Sequence, residues 1–238
     1  MRAWIKFSKE ESLCFLSHLD LMRTWQRAIR RAGLPVAYSS GFNPHQRLSF
    51  ASALPVGATS ETEYLDVIFN KEINLKDFKG LQDTLPHGLC MKDVKETPPG
   101  VPALMSLVRA AGWSVILKRG VYEKVTAAVA ALLGSVSLEY QREGKKGKKT
   151  LDLRPLILDL RVSECENGCK LCMLLITGDT GGAKPQEVLN ILGIDLHAQK
   201  LNRTGLLIRI GDNLQDPMDV LLSQNEVLLN AKKDYYKL

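Results

Sequence analysis

The sequence predicts an α+β protein built from tandem ferredoxin-like (β-α-β-β-α-β) domains with antiparallel sheets. Strand-type and helix-type patterns alternate in this order over about the first 95 residues. The segment TPPGVP follows at 97–102, and its three prolines and glycine can continue neither a helix nor a strand. The second half then repeats the theme with a longer middle. The predicted domains are 1–98 and 99–215, with 216–238 as a C-terminal tail or helix.

Each element of the first half has a local signal. Residues 2–8 alternate apolar and polar side chains, as in a half-buried strand. A helix is predicted at about 18–32, because Ser17 and Asp20 form a capping-box pattern ahead of an apolar stripe. LSFASALPVG and TEYLDVIF predict a hairpin, Asn74 predicts the cap of a second helix, and LCMKDVKE predicts the last strand.

The second half shows the same kinds of signal. Strands are predicted at WSVILKR, LEYQRE, LILDLRVS, KLCMLLIT and LLIRI. Helices are predicted at VYEKVTAAVAALLG and from about Pro185 to Leu192, where proline suits the first helical position. GKKGKK at 144–149 predicts a hairpin tip.

Composition excludes several classes of protein. A chain of 238 residues with 45% hydrophobic and 24% charged residues is neither disordered nor fibrous. The longest apolar run, 127–133, is far shorter than the roughly 20 residues of a membrane span. The N-terminus carries no secretory signal pattern, so we expect a cytoplasmic protein that does not contact a membrane. Five cysteines, an odd number, indicate reduced thiols, and no cofactor is predicted.

Positive charge is concentrated near the N-terminus. The net charge is +6, and residues 1–50 carry eight Lys or Arg against three Asp or Glu. The predicted first helix has a run of arginines opposite its apolar stripe: Arg23, Arg27, Arg30 and Arg31. Such a row is stabilised by an anion lying over it, and nucleic acid is the first candidate. The alternative is an ordinary solvated helix face.

The polar loop YSSGFNPHQR at 38–47 directly follows this helix. Its polar side chains and backbone N–H groups can contact phosphates. The residues that we select as nucleic-acid contacts are Ser39, Ser40, Asn43, His45 and Arg47. Tyr38 and Phe42 can stack on bases. The alternative is a well-capped turn before the hairpin.

Three weaker candidates lie elsewhere in the chain. The lysines of GKKGKK can reach a nucleic-acid backbone, although such tips are usually only solvated. The loop GDTGGAKP at 178–185 opens a helix and can bind phosphate there, but it lacks the Walker A order. His18 and His45 can serve as an acid/base pair for phosphodiester cleavage. A structural or RNA-contacting role fits these histidines better.

Cys165, Cys169 and Cys172 have the spacing C-x3-C-x2-C, which radical S-adenosylmethionine (SAM) enzymes use to hold an iron–sulfur cluster. Only 66 residues follow the third cysteine, too few for the partial α/β barrel of those enzymes. Cys172 also lies in an apolar run, where cysteine is an ordinary small hydrophobic residue. A zinc site lacks an evident fourth ligand. We therefore predict no metal site.

Several segments together resemble the radical SAM-linked protein family. They are FLSHLDLMRTWQRAIRRAGLPVAYSSGFNPHQRLSFASALPVG, EYLDV, LRPLILDL, GGAKPQEVLNILG and RTGLLI, within roughly residues 2–211. This is a bacterial domain of unknown function, encoded beside or fused to a cobalamin-binding-type radical SAM protein. The resemblance implies that a radical SAM protein is the partner and holds the cluster. The family's motif positions correspond to Ser17, His18, Asp20, Arg23, Ser40, Gly41, Asn43, Pro44, His45, Arg47, Gly181, Gly182, Pro185, Arg203, Thr204 and Gly205.

Charge and resemblance together predict an RNA-binding accessory module that presents RNA to a radical SAM enzyme for modification. In this hypothesis the helix arginines contact phosphates, while the 39–47 loop, Arg203 and Thr204 position the strand. One alternative is a metal-independent RNA endonuclease with His18 or His45 as its catalytic base. It is considered because tandem ferredoxin-like folds also resemble endonucleases of this class. The other is a protein-docking domain whose arginine face binds the radical SAM subunit without RNA.

Overall fold

The computed structural model describes residues 1–144, 147–178, 181–195, 200–223 and 228. It is a mixed α+β structure, and the strand pairs within each half are antiparallel. The chain divides into two compact units. Unit 1 contains residues 1–108 and 205–238, and unit 2 contains residues 109–204.

The first 107 residues form seven regular elements. They are β1 (Arg2–Lys9), α1 (His18–Arg31), β2 (Leu48–Phe50), β3 (Thr59–Ile68), α2 (Lys79–Thr84), β4 (Leu89–Glu96) and α3 (Leu104–Leu107). A 3-10 turn, Leu75–Phe78, leads into α2, and the Asn74 side chain caps it by accepting a hydrogen bond from the Lys76 amide. The elements predicted for the first half are present, but β2 covers only the first three residues of the predicted run LSFASALPVG. The single-turn α3 has no signal in the sequence.

The described residues after 107 form ten further helices and strands. They are β5 (Val108–Leu117), α4 (Tyr122–Gly134), β6 (Glu139–Gly144), β7 (Gly147–Asp152), β8 (Ile157–Cys165), β9 (Gly168–Ile176), α5 (Pro185–Ile191), β10 (Leu201–Ile210), β11 (Asn213–Gln215) and α6 (Pro217–Ser223). The predicted elements are confirmed, but β5 begins five residues earlier than expected, and β7 and β11 were not predicted. Of the predicted tail or helix at 216–238, the described part is mainly helical.

In unit 1, β1 is flanked by β3 and β4, and β2 pairs with the other edge of β3. The strands are therefore joined in the order β4-β1-β3, with β2 also paired to β3, and all these neighbours are antiparallel. In unit 2, β9 lies between β5 and β8, also antiparallel, while β6 and β7 form a separate hairpin. The tandem ferredoxin-like interpretation of the whole chain stays a prediction.

Helices α1 and α2 pack on one face of the unit 1 sheet. Side chains alternate along a strand, so Ile5 and Phe7 of β1 point to the same face. There they meet the buried stripe of α1, with the ring centres of Phe7 and Trp25 4.8 Å apart, and Leu81 of α2. Each such fully buried side chain contributes about 1.5–3 kcal/mol. This face holds the core that fixes α1 in place.

The opposite face of the same strands carries charged residues. Arg2 of β1 forms a bidentate ion pair with Asp66 of β3, with Nε–Oδ1 and Nη2–Oδ2 distances of 2.8 and 2.6 Å. Arg2 also donates to the carbonyls of Val101 and Pro102, and the Leu104 amide donates to Asp66. These hydrogen bonds hold residues 101–104 on the unit 1 sheet. The domain boundary at 98/99 stays a prediction.

A second carboxylate attaches the later segment of unit 1 to that face. Asp216 accepts hydrogen bonds from Lys6 Nζ and Tyr64 Oη, each at 2.7 Å, and from the Met218 amide at 2.8 Å. Burial raises the pKa of Asp216, but these hydrogen bonds lower it by more, so the pKa lies below its ordinary value. This contact holds residues 216–218 on the unit 1 sheet.

Among the described residues, no helix combines the length and the apolar composition that a membrane span requires.

Replacing Asp66 with alanine is expected to lower the free energy of unfolding by about 3 kcal/mol, because it leaves the partly buried Arg2 guanidinium without its counter-charge. Urea unfolding monitored by circular dichroism measures this. The control is Glu143→Ala, which removes the exposed Glu143–Lys148 pair and is expected to cost about 1 kcal/mol or less. A loss for Asp66→Ala no larger than the control's contradicts the assigned role of the buried pair.

Replacing Asp216 with asparagine is expected to remove a part of the free energy of unfolding that depends on pH. Asparagine can still accept the hydrogen bond from the Met218 amide, so the start of α6 stays capped. The folded pKa lies below the unfolded value of about 3.9, so the stabilisation is complete above that value and disappears as the pH falls through the folded pKa. Urea unfolding of both proteins measures this from pH 7 to pH 3. The difference in the free energy of unfolding is expected to be constant from pH 7 to about pH 4 and to shrink below that pH. A difference that stays constant down to pH 3 contradicts this.

Candidate nucleic-acid interface

Helix α1 is fixed at its start and along one side. The Ser17 hydroxyl accepts a hydrogen bond from the Asp20 amide at 3.2 Å and donates to the Asp20 carboxylate at 2.7 Å. Trp25 and Ile29 are fully buried in the core. Gly33, with φ of +68°, ends the helix in the left-handed region that favours glycine. The opposite side of α1 is thereby held outward.

The four predicted arginines, Arg23, Arg27, Arg30 and Arg31, all lie on this outer side and are exposed. Arg23 is 3.5 Å from the Asp20 carboxylate, and Arg27 donates to the Thr24 hydroxyl at 3.2 Å. Among the residues described, no carboxylate pairs with Arg27, Arg30 or Arg31. The outer side of α1 is therefore a cationic surface, which we call the arginine face, whose charge is only partly neutralised.

The loop after α1 is closed by its own hydrogen bonds. The Ser39 amide donates to the His45 carbonyl at 2.8 Å, and the His45 amide donates to the Ser39 hydroxyl at 2.9 Å. The Gln46 side chain is buried and donates to Tyr38 Oη and, at 3.5 Å, to the Gln26 carbonyl of α1. The loop is thus anchored to the helix. Its tip is exposed and contains Ser40, Phe42 and Asn43.

A cleft of about 450 Å³ lies beside this loop, entirely within unit 1. Three of the predicted residues, Ser39, His45 and Arg47, line it together. Its remaining lining residues are Arg2, Gln46, Leu48, Ser49, Asp66, Ile68 and Ala103. The cleft therefore brings the polar loop next to the buried Arg2–Asp66 pair.

The arginine face and the cleft belong to opposite sides of the unit 1 sheet. Phe50 and Leu65 face α1 and α2. Ser49 and Asp66 are each one residue away on the same strands, so they face the other side. The sequence predicted a single interface of helix and loop. The structure instead separates the arginines from the cleft residues Ser39, His45 and Arg47.

The two predicted contacts of the second half differ in exposure. Arg203 is only 2% exposed, and its guanidinium lies 4.6 Å from the centre of the Trp113 ring. Thr204 is partly exposed. A side chain buried as deeply as that of Arg203 cannot reach a nucleic acid in this structure, so it is not part of the candidate interface.

The glycine-rich loop before α5 is occupied by the protein's own groups. Glu187 accepts from Arg142 Nε and Nη2 at 2.6 and 2.7 Å, and from the Lys184 amide at 2.9 Å. Because a carboxylate already lies at this helix start, a phosphate has no free position there. Asp179 and Thr180 of this loop lie outside the described residues, as do Lys145 and Lys146 of the GKKGKK tip.

The three clustered cysteines do not converge. Cys165 ends β8, while Cys169 and Cys172 lie three residues apart on β9 and therefore point to opposite faces. Burial raises the pKa of the Cys169 thiol. Within the described ranges, no three His, Cys, Asp or Glu side chains are arranged to hold a metal ion.

The two histidines also contact different groups. The His18 ring packs edge-on against Phe50, with centres 5.3 Å apart, on the helix side of the sheet. His45 lines the cleft. The structure therefore does not bring these two histidines together as an acid/base pair.

Sequence reasoning did not select Arg2, Ser49 and Asp66 as parts of the site. A signal was available for Asp66, which lies between Leu65 and Val67 in a strongly apolar run. A carboxylate in such a strand must have a partner, because burying an unpaired charge is very costly.

Comparison with known proteins gives a family. The family model described as "Uncharacterized protein conserved in bacteria (DUF2344)" matches residues 2–185. No curated protein matches the chain. A solved chain from "Crystal Structure of a Cbf5-Nop10-Gar1 Complex" is similar with 10% identity and a TM-score of 0.47, over 96% of this chain and 59% of that one, which is too weak to carry an argument. Because the family model covers well over half of its residues, the chain belongs to the bacterial family DUF2344.

Proposed function

We propose that this protein is an RNA-binding accessory module that partners a radical SAM enzyme in RNA modification, in the bacterial cytoplasm. The observation that carries the RNA part is the arginine face of α1. Arg27, Arg30 and Arg31 are exposed on a helix whose only acidic residue is Asp20. Guanidinium groups bind phosphates through two parallel hydrogen bonds, which suits them to a nucleic-acid backbone.

Exposed aromatic rings in the segments before and after α1 favour RNA over an acidic protein surface. Phe15, just before α1, is 80% exposed, and Phe42 at the loop tip is fully exposed. Single-stranded RNA is bound through base stacking on such rings combined with cationic contacts to the backbone. The proposed interface therefore consists of the α1 arginines and the exposed loop residues Ser40, Phe42 and Asn43.

The radical SAM partner is proposed on different grounds. It depends on the sequence resemblance, whereas the RNA contact depends on charge and exposure. In this proposal the radical SAM protein supplies the reaction and this chain supplies the bound RNA. The tandem ferredoxin-like arrangement is part of the same proposal.

The double substitution Arg27→Glu with Arg30→Glu is expected to weaken RNA binding at least about tenfold, because two phosphate contacts become repulsive. RNA that co-purifies with the wild-type protein is sequenced, labelled and used in filter binding at several salt concentrations. The slope of log affinity against log salt is expected to fall by about 1.4, since each single-strand phosphate contact contributes about 0.7.

The matched control is Arg161→Glu with Arg209→Glu, which changes the net charge equally at two exposed arginines that do not belong to α1. Circular dichroism establishes that both variants are folded. Equal weakening by both pairs contradicts a localised arginine face. If the protein with Arg27→Glu and Arg30→Glu no longer binds the radical SAM protein but still binds RNA, the RNA proposal is contradicted and protein docking is favoured.

A further inference from the structure

The cleft of unit 1 carries an inference that goes beyond the proposed function. It lies on the sheet face opposite α1 and α2, so a ligand there is bound by residues other than those of the arginine face. Its volume of about 450 Å³ is within the range of small-molecule sites, about 300–1,000 Å³. The chemistry of its walls indicates the ligand.

The single carboxylate of the cleft is already neutralised. Asp66 Oδ1 accepts from Arg2 Nε at 2.8 Å, and Oδ2 accepts from Arg2 Nη2 at 2.6 Å and from the Leu104 amide at 3.1 Å. With both oxygens engaged, Asp66 offers no free site to a cation. Because Arg2 balances its charge, it also repels an anion only weakly.

The other polar groups at the cleft are mainly hydrogen-bond donors. Arg47 is exposed, and the described residues place no carboxylate against it. Its backbone is held on both sides, since its amide donates to the Ala37 carbonyl at 2.7 Å and its carbonyl accepts from the Ile68 amide at 2.9 Å. The Ser39 oxygen accepts from the His45 amide, which leaves the Ser39 hydroxyl hydrogen for a ligand. Ser49 adds a second hydroxyl.

Apolar side chains complete the walls. Leu48, Ile68 and Ala103 line the cleft together with the donors. Inorganic phosphate alone leaves this apolar surface uncovered, whereas a nucleotide places its phosphate at the donors and its base against the apolar wall. We propose that this cleft binds a nucleotide through its phosphate, with Arg47, Ser39 and Ser49 as the phosphate contacts. The nucleotide is either free or the phosphorylated end of an RNA strand.

Calorimetric titration tests this with four probes: adenosine 5′-monophosphate, adenosine, and a short oligoribonucleotide with and without a 5′-phosphate. Arg47→Gln, nearly equal in size and uncharged, is expected to weaken binding of the phosphorylated probe about tenfold or more. Ser49→Ala is expected to weaken it less, and Arg47→Lys to restore part of the affinity, because lysine keeps the charge and loses the bidentate geometry.

The controls separate this site from the arginine face. Arg209→Gln removes an exposed arginine that is not in the cleft, and it is expected to leave nucleotide binding unchanged. The double substitution Arg27→Glu with Arg30→Glu is also expected to leave nucleotide binding unchanged, even if it abolishes binding of longer RNA. The proposed function and this inference can therefore fail independently.

The outcomes are distinct. Binding of the monophosphate but not of adenosine, lost in Arg47→Gln, supports a free nucleotide as ligand. Binding confined to the 5′-phosphorylated oligoribonucleotide, again lost in Arg47→Gln, supports an RNA end. If no phosphorylated probe binds, or if binding is equal in Arg47→Gln and the wild-type protein, the proposal is overturned.

Discussion

The pairing of charges on the second face of the unit 1 sheet is the constraint on which the rest of this unit depends. Strands β1 and β3 bury side chains on both faces, and the apolar cluster of Ile5, Phe7, Leu65 and Val67 lies on the face that packs against α1 and α2. On the other face Arg2 and Lys6 need counter-charges, which Asp66 and Asp216 supply. An unpaired charge there is much more costly than a lost apolar contact. The segments that complete these pairs, 101–104 and 216–218, are therefore held on the sheet.

This constraint also places the two candidate surfaces. The apolar face binds α1 through Trp25 and Ile29, so the arginines of α1 must point outward. The charged face holds Arg2 and Asp66, and the loop closed by Ser39 and His45 lies beside them at the cleft. One short loop thus contributes to both sides of the sheet. Gln46 contacts α1, while its neighbours His45 and Arg47 line the cleft.

Much of the fold could be predicted from the sequence because its signals are local. The cap of α1 at Ser17 and the cap at Asn74 are formed by residues a few positions apart, and both were predicted. The attachment of residues 101–104 and 216–218 to unit 1 was not predicted, because it depends on side chains about 100 and 210 positions away. The arginine face was predicted from helical spacing. The division between it and the cleft was not, since it requires the register of β2 on β3.

Two motifs show why spacing alone is weak evidence for a site. A ligand needs groups that are not already satisfied by the protein and that point to one place. At the start of α5 the backbone is capped by Glu187, which also binds Arg142, so an internal ion pair already lies at this helix start. The spacing of Cys169 and Cys172 fits a cluster motif in a loop, but on β9 the same spacing turns the thiols to opposite faces. By the same criterion Arg47 stands out, because its backbone is fixed and its charge has no counter-ion among the described residues.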